Sequence, residues 1–488
     1  MEILYNGIQL PDQWPPQNMD PGSRNPMPIP YLEHPPEVIS IDVGRQLFVD
    51  DFLIDHTTLT RTFHTVEKYA GNPVLKAETE EELGKGGTCY LGHGGVFYDP
   101  QDQLFKMFYT AGWRGGLALA TSKDAIHWER PNIGESRRNL LIPPGENEAG
   151  LDNSVWLDID AETPAERLKF LTQRGKVHTL HTSSDGLTWS DGVETGESAD
   201  YCSFFYNPFR KVWVYSIKRD NAHGRCRYYA ESKDFLEGAA KWDDAVYWTG
   251  ADNLDKPDPH VGDQTQLYSL NAVAYESLFI GMFYIHRGPD NSVCDTGKFP
   301  KLTDLTLGYS RDGFHWDRPD RNAFLAASRE EGNWERGYLH STTGVFMTVG
   351  DKLIFPYCGY SGIAPDGSRG AYQGGSIGLA FLRRDGFASM NAEEEVGTLT
   401  TRPVCFQGKQ LKVNVDCPLG VLRVEVLDED GKPIEPFTTA NCIPVSVDST
   451  LQEIFWSGVE DLSVLNGKSV KIRFHLTFGK LYSFGISS

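Results

Sequence analysis

Three stretches of the chain repeat one phrase: "SKDAIHWERP" at 122–131, "SSDGLTWSDG" at 183–192 and "SRDGFHWDRP" at 310–319. Self-similarity of this kind restricts the fold more than composition does, because each copy marks one supersecondary unit that must stack on its neighbours to bury an apolar face. The grammar is Ser, a polar residue, Asp, usually Gly, two more residues and Trp. It runs from Ser122 to Trp128, from Ser310 to Trp316, and from Ser184 to Trp189 in a form one residue shorter. "SKDFLEGAAKW" (Ser232 to Trp242) is an expanded version, and "RRDGFASM" at 383–390 keeps Asp-Gly without the Trp. Asp-Gly supplies a turn, since Gly accepts positive φ and the Asp carboxylate can take hydrogen bonds from its own turn. The Trp then begins the next strand and packs back over the hairpin, so these residues brace the structure rather than react.

Apolar, β-rich segments precede each copy in the same order. "GVFYD", "LFKMFYTAG" and "GLALATS" lead into the first, and "SVWLDID", "LKFLTQRG" and "VHTLHTSSD" into the second. Three strands, an Asp turn and a fourth strand recur five times between about residue 90 and residue 395. Four-stranded sheets repeated radially make a β-propeller, which leaves few strand edges open. The predicted fold is therefore all-β: a five-bladed β-propeller over 39–395, followed by a C-terminal β-sandwich over 396–488. The sandwich is read from strict alternation in "LKVNVD", "LRVEVLDEDG", "VKIRFHL" and "KLYSFGI". Two tandem sandwiches are the competing all-β arrangement. Residues 1–38 hold nine of the 28 prolines and should form an extended arm.

Composition narrows the partners. With 67 acidic and 46 basic residues the net charge is −21, which disfavours nucleic acid and anionic membrane surfaces. The longest apolar run, "LFIGMFYI" at 278–285, is far below the roughly 20 residues of a spanning helix. No secretory leader is visible at the start, so the expected location is cytoplasmic, or secreted or periplasmic if a leader has been removed. The eight cysteines have neither C-x-x-C pairing nor zinc spacing; reduced, mostly buried thiols are expected, with no metal and no cofactor.

In a propeller the innermost strands line the axis, so residues beginning those strands point at a central ligand. They include His93, Asp152, Asp200, Tyr268, Asn271, Glu335 and His340, joined by Trp113, Arg174, Arg219, His286 and Arg287 from second-strand ends. Asp51, in "LFVDDFLID", is a further candidate from the closing strand. Carboxylates and arginines that hydrogen-bond hydroxyls, next to aromatic faces that stack on pyranose rings, suit a carbohydrate. Glycosidic cleavage needs two carboxyl groups in opposite protonation states. Asp152 is expected to be the ionised one, with Asp200 or Glu335 as proton donor. The arginines favour an anionic sugar and the carboxylates weigh against it.

Five such units with Ser-x-Asp-x-x-x-Trp turns and a C-terminal sandwich resemble the five-bladed propeller glycoside hydrolases, especially the invertase and fructanase family and the arabinanase and xylosidase family. The resemblance spans about residue 40 to the end. The invertase Trp-Met-Asn-Asp-Pro-Asn-Gly pattern is absent, Arg-Asp-Pro is replaced by "GLDNS", and Glu-Cys has only "ADYC" near its place. The resemblance implies a glycosidase acting on an oligosaccharide or polysaccharide-derived glycan, its carboxylates carried over onto Asp152 and Asp200. The rival readings are a sugar-binding propeller without catalysis and a scaffold that uses its outer faces.

Overall fold

The computed structural model describes residues 2–133, 138–144 and 152–487. The repeated phrase folds the same way three times. Asp124 Oδ1 accepts from the backbone N–H groups of Ile126 and His127 at 2.9 and 2.8 Å. Asp185 does so from Leu187 and Thr188 at 2.8 and 2.9 Å, and Asp312 from Phe314 and His315 at 2.9 and 2.8 Å. A serine hydroxyl two residues earlier closes each turn, accepting from the amide of Asp124, Gly186 or Gly313. In the second copy that serine is Ser183 and not Ser184, so the copy is full length. The sequence reading took the wrong one of two adjacent serines. The tryptophans brace as expected: Trp316 is buried against Gly281, where a Cβ would lie 2.8 Å from its ring, and Trp189 packs on Phe170 at 4.8 Å.

These turns connect strands into sheets that follow chain order. Cys89–Asp99, Leu104–Ala111, Gly116–Ser122 and Leu140–Ile142 make the first set, and Asn153–Leu157, Leu168–Arg174, Val177–Ser183 and Val193–Glu197 the second. They merge into one eight-stranded sheet where Asn153 and Ser154 pair in parallel with His93 and Gly94. The third set is Ser203–Asn207, Val212–Asn221, Gly224–Ser232 and Val246–Gly250; the fourth is Gln266–Tyr275, Leu278–Gly288 and Leu302–Ser310. Gly337–His340, Lys352–Tyr360 and Gly375–Arg383 form the fifth, whose outer strand is Glu67–Lys68 from far upstream, antiparallel to Ala380 and Phe381.

Contacts between the leading strands run in a circuit. Cys202 N donates to Asp152 (second to third set), Ser203 Oγ to the Leu270 carbonyl (third to fourth), and the Tyr268 and Tyr338 hydroxyls share a hydrogen bond (fourth to fifth). Thr343 N then donates to the His93 carbonyl, returning to the first set. Cys89–Asp99 is flanked on both sides because "GHGG" bulges: His93 has φ 84°, and the register shifts between Tyr90 and Gly95. A Cβ at Gly95 would fall 2.1 Å from the Val155 carbonyl oxygen, so only glycine lets the second set approach here.

Apart from a separate parallel pair of Ile39–Ser40 and Val404–Cys405, most of the remaining strands pack in two sheets around one core. One holds Asp448–Glu453, Gln410–Asp416, Gly479–Ser487, Ala388–Ala392 and Thr60–Phe63, with Gln46–Leu47 beside it; the other holds Val421–Leu427, Lys471–Thr477, Gly397–Thr401 and Ile54–Thr57. Phe48, Phe474 and Phe484 meet between them, with Phe48 and Phe484 centroids 5.7 Å apart. Residues 46–63 and 388–392 therefore pair with C-terminal strands, whereas the sequence reading put them within 39–395. Their alternation is short, and the sheet they join depends on partners over 300 residues away. The buried Arg311–Asp50 ion pair, at 2.8 Å, ties this region to the third Asp turn.

The N-terminal residues run over the surface with a bridge between Ile3 and Gln9 and a short helix at Pro30–Glu33, burying Leu4, Ile8, Leu10, Ile29 and Tyr31. All eight cysteines are free and seven are buried. Among the described residues no helix is long and apolar enough to cross a membrane.

Candidate functional site

Where the leading strands converge, the axis is filled by rings. His93 and Tyr201 lie 5.3 Å apart, Tyr201 and His340 4.8 Å, and Tyr284 and His340 5.8 Å, all fully buried. Burial, aided for His93 by Arg227 and for His340 by His93, drives both imidazoles down, His93 to about 3, so both are neutral. His93 Nδ1, His340 Nε2 and the Tyr360 hydroxyl have no hydrogen-bond partner among the described residues. Asn271 donates to the Tyr284 hydroxyl at this level. His93, His340 and Asn271 are thus buried among these rings rather than exposed at an opening, because the strands converge closely here.

Against these rings lies an aromatic and cationic cluster. Tyr268 and Tyr338 hydroxyls are 2.8 Å apart, and half-buried Trp113 stacks on half-buried Tyr372 at 4.1 Å and 10°. Lys218, Lys301 and Arg225 reach within 4.6, 5.0 and 5.5 Å of the Tyr268 ring. Lys218 pairs with Asp200, whose side chain keeps 30% exposure. Tyr201, two residues before Ser203–Asn207, and Tyr338, second in Gly337–His340, have φ of 60° and 55°. Non-glycine residues in this conformation cost energy and concentrate at functional sites.

Two carboxyl groups here have opposed environments. Burial works to raise Asp200, but Lys218, Lys301 and Arg225 outweigh it and hold the group ionised. Asp152 is fully buried; burial raises its pKa against the opposing hydrogen bond from His178 Nε2 at 2.7 Å. Its Oδ2 also accepts from Cys202 N, while Oδ1 has no partner among the described residues. Burial opposes charge on His178 as well, yet its contacts with Cys202 and Asp152 prevail and raise it to about 10. The pair holds a proton in a dry setting, and Asp200 contributes to the rise at Asp152. The two shifts run opposite to the sequence expectation: the cations around Asp200 lower it, whereas burial raises Asp152.

The other candidates divide. Tyr268, Trp113 and His286 belong to the cluster; His286 is buried, and burial with Arg225, Lys301 and Lys218 nearby lowers it well below its ordinary value. Glu335 does not join Asp152 or Asp200 in any contact: it accepts from Lys68 and the Tyr357 hydroxyl, both at 2.8 Å, pinning the closing strand. Asp51 is exposed and pairs with Arg61. Arg219 donates to the Trp242 carbonyl and lies over the Tyr228 ring; Arg287 is tied to Asp304 at 2.7 Å and to the Lys256 carbonyl. Arg174 lines a separate cavity of about 380 Å³ with Thr172, His181 and Trp189. In each case a nearby partner satisfies the charge or the strand directs it away, which one-dimensional spacing does not reveal.

Lys218, Arg225, Lys301, Tyr338, Tyr372 and His178 were not singled out from the sequence. Arg225 and Lys301 stand at strand starts in "GRCRYY" and "PKLTD", so extending the same rule to third strands finds them. Among the described residues no group of three or more His, Cys, Asp or Glu is placed to hold a metal ion.

No family model matches the chain, and no curated protein is significantly similar to it. Solved structures are. An N-acetylgalactosamine deacetylase from F. plautii, solved with blood group B trisaccharide, is 15% identical over 66% of this chain and 96% of its own, with a TM-score of 0.47. A thermostable family-43 glycoside hydrolase is 13% identical over 63% of this chain and 95% of its own (TM-score 0.41). A glycosyl hydrolase from Bacteroides ovatus is 10% identical over 66% and 94% (TM-score 0.40). The likeness is one of fold, over about two thirds of this chain. At such identities no functional residue carries over, and the chemistry has to come from the side chains of this chain.

Proposed function

We propose that the chain is a glycan hydrolase built on a five-bladed β-propeller with a C-terminal β-sandwich, and that its substrate enters beside Trp113, Tyr372 and Asp200. The observation that carries the reading is the meeting, on one axis, of aromatic faces with two carboxyl groups whose surroundings push their protonation apart. Asp200, the partly exposed and ionised group, either takes a proton from the water that attacks the anomeric carbon or attacks that carbon itself, water then releasing the sugar. Asp152, backed by His178, supplies the proton that the leaving oxygen takes as the glycosidic bond breaks. Trp113 and Tyr372 offer ring faces for the sugar.

A panel of aryl glycosides and oligosaccharides tests this with the wild type, Asp200→Asn and Asp152→Asn. Each variant should lose at least about 100-fold in turnover on the substrate that the wild type cleaves, the lower end of what one acid or base contributes. Wild-type rates from Asp200→Asn would remove that residue from the mechanism. The complete burial of Asp152 favours a second reading, a sugar-binding site without catalysis. Binding of a glycan by wild type and variants alike, with no turnover by any of them, selects it.

A further inference from the structure

Two cations of the cluster, Lys301 and Arg225, have no carboxylate within ion-pair distance among the described residues; Asp200 acts on both from farther off. Lys301 is 1% exposed, and among the described residues its ammonium has one hydrogen-bond partner, the neutral Asn291 Oδ1 at 2.8 Å. Arg225 is half-buried and donates to Gln266 Oε1 at 2.8 Å, with no carboxylate within ion-pair distance among the described residues. Both lie on the Tyr268 ring, where Lys218 is already matched by Asp200. Several other buried cations are paired, Arg311 with Asp50, Arg318 with Asp255 and Lys106 with Asp99, while fully buried Arg227 donates to the Ser216 hydroxyl and the Tyr201 and Tyr268 carbonyls. Burying an ammonium without a counter-charge is costly, and two such groups side by side repel each other. Desolvation, followed by Arg225 and Lys218, lowers Lys301 to about 7 against the opposing charge of Asp200.

We infer that Arg225 and Lys301 form a subsite for an anionic group, a carboxylate or a sulfate, carried by the sugar that rests against Trp113 and Tyr372. The inference rests on the glycan reading above and adds the substrate class: acidic glycans rather than neutral ones. An oxyanion on this pair takes hydrogen bonds from the remaining ammonium protons and from the guanidinium fork, giving the pairing seen at Arg311, Arg318 and Lys106. Lys301 also lies over the Tyr338 and Tyr372 rings, at 4.5 and 5.2 Å from their centroids, which places it beside the stacked Trp113 and Tyr372.

The test measures binding by calorimetry, with the full chain, of glucuronic and galacturonic acid oligosaccharides, their neutral glucose and galactose counterparts, a sulfated galactose oligosaccharide, and sodium sulfate or inorganic phosphate alone. An acidic oligosaccharide should bind at least about 10-fold more tightly than its neutral counterpart, the scale of one charge-assisted hydrogen bond. Lys301→Met and, independently, Arg225→Gln should each erase that preference. Arg225 is half-buried, so its variant serves if Lys301→Met does not fold. Equal binding of neutral and acidic glycans by the wild type, or an acidic preference that survives both substitutions, overturns the subsite while leaving the glycan reading intact. No binding of any glycan overturns both. Sulfate or phosphate alone binding as tightly as the acidic oligosaccharides shows an ion site independent of sugar, and overturns the inference.

Discussion

Replacing the aspartate of each repeated turn by alanine asks one question in three environments. Each carboxylate takes two backbone N–H groups at nearly the same distances, so local geometry is constant. Burial is not. Asp124 and Asp185 are exposed, and water replaces the lost acceptor, leaving a cost like that of a lost helix cap, about 1 kcal/mol. Asp312 is buried; its other oxygen binds the His315 ring at 2.7 Å, and Phe314 beside it is fully buried. Asp312→Ala leaves two amides and an imidazole without their acceptor, and at about 1–3 kcal/mol for each unsatisfied buried donor the loss should reach about 3–9 kcal/mol. Urea unfolding followed by circular dichroism gives the three differences, provided the m-values agree.

Acid sharpens the comparison. Burial tends to raise Asp312, but the contacts with His315 and the two amides outweigh it, so the folded carboxyl lies below its ordinary range. A carboxyl depressed on folding adds stability above its unfolded pKa of about 3.9 and loses it as pH falls through the folded value. The gap between wild type and Asp312→Ala should therefore be full at pH 6 and close below pH 4. Equal losses at all three aspartates, or a gap indifferent to acid, would refute the argument that burial grades this motif.

Three further perturbations follow from the packing. Arg311→Ala leaves Asp50 charged and buried and should cost about 3–5 kcal/mol, whereas Arg311→Met with Asp50→Leu should recover most of it in a thermal melt. Asp317 is raised to about 6, chiefly by burial and then by Asp50. A carboxyl raised on folding destabilises above that value and not below its unfolded pKa, so Asp317→Asn should stabilise the protein by at most about 3 kcal/mol at pH 7.5 and by nothing at pH 3.5. Trp316→Ala should cost about 3–5 kcal/mol, as for a buried aromatic, and half-buried Trp128→Ala clearly less; the reverse order in denaturant midpoints contradicts the bracing role assigned to them.

The sequence by itself determined whatever is local. A Ser-x-Asp turn closes on atoms two or three residues away, and β-rich segments around it pair with their chain neighbours, so the all-β character and the run of antiparallel hairpins were legible. Tyr268, Trp113 and His286 were reachable for the same reason, since a residue at a known place on a strand has a known direction. Tertiary structure decided the rest. Strand Glu67–Lys68 completes a sheet over 300 residues onward, and Thr60–Phe63 pairs with Ala388–Ala392, because hydrogen-bonding edges take any extended partner that arrives in register. The same holds for charge. Whether Glu335 reacts or pins a strand depends on Lys68, and whether Asp152 or Asp200 keeps its proton depends on how deeply each is buried and on three cations drawn from other strands. Protonation is set by surroundings, and the surroundings exist only once the sheets have met.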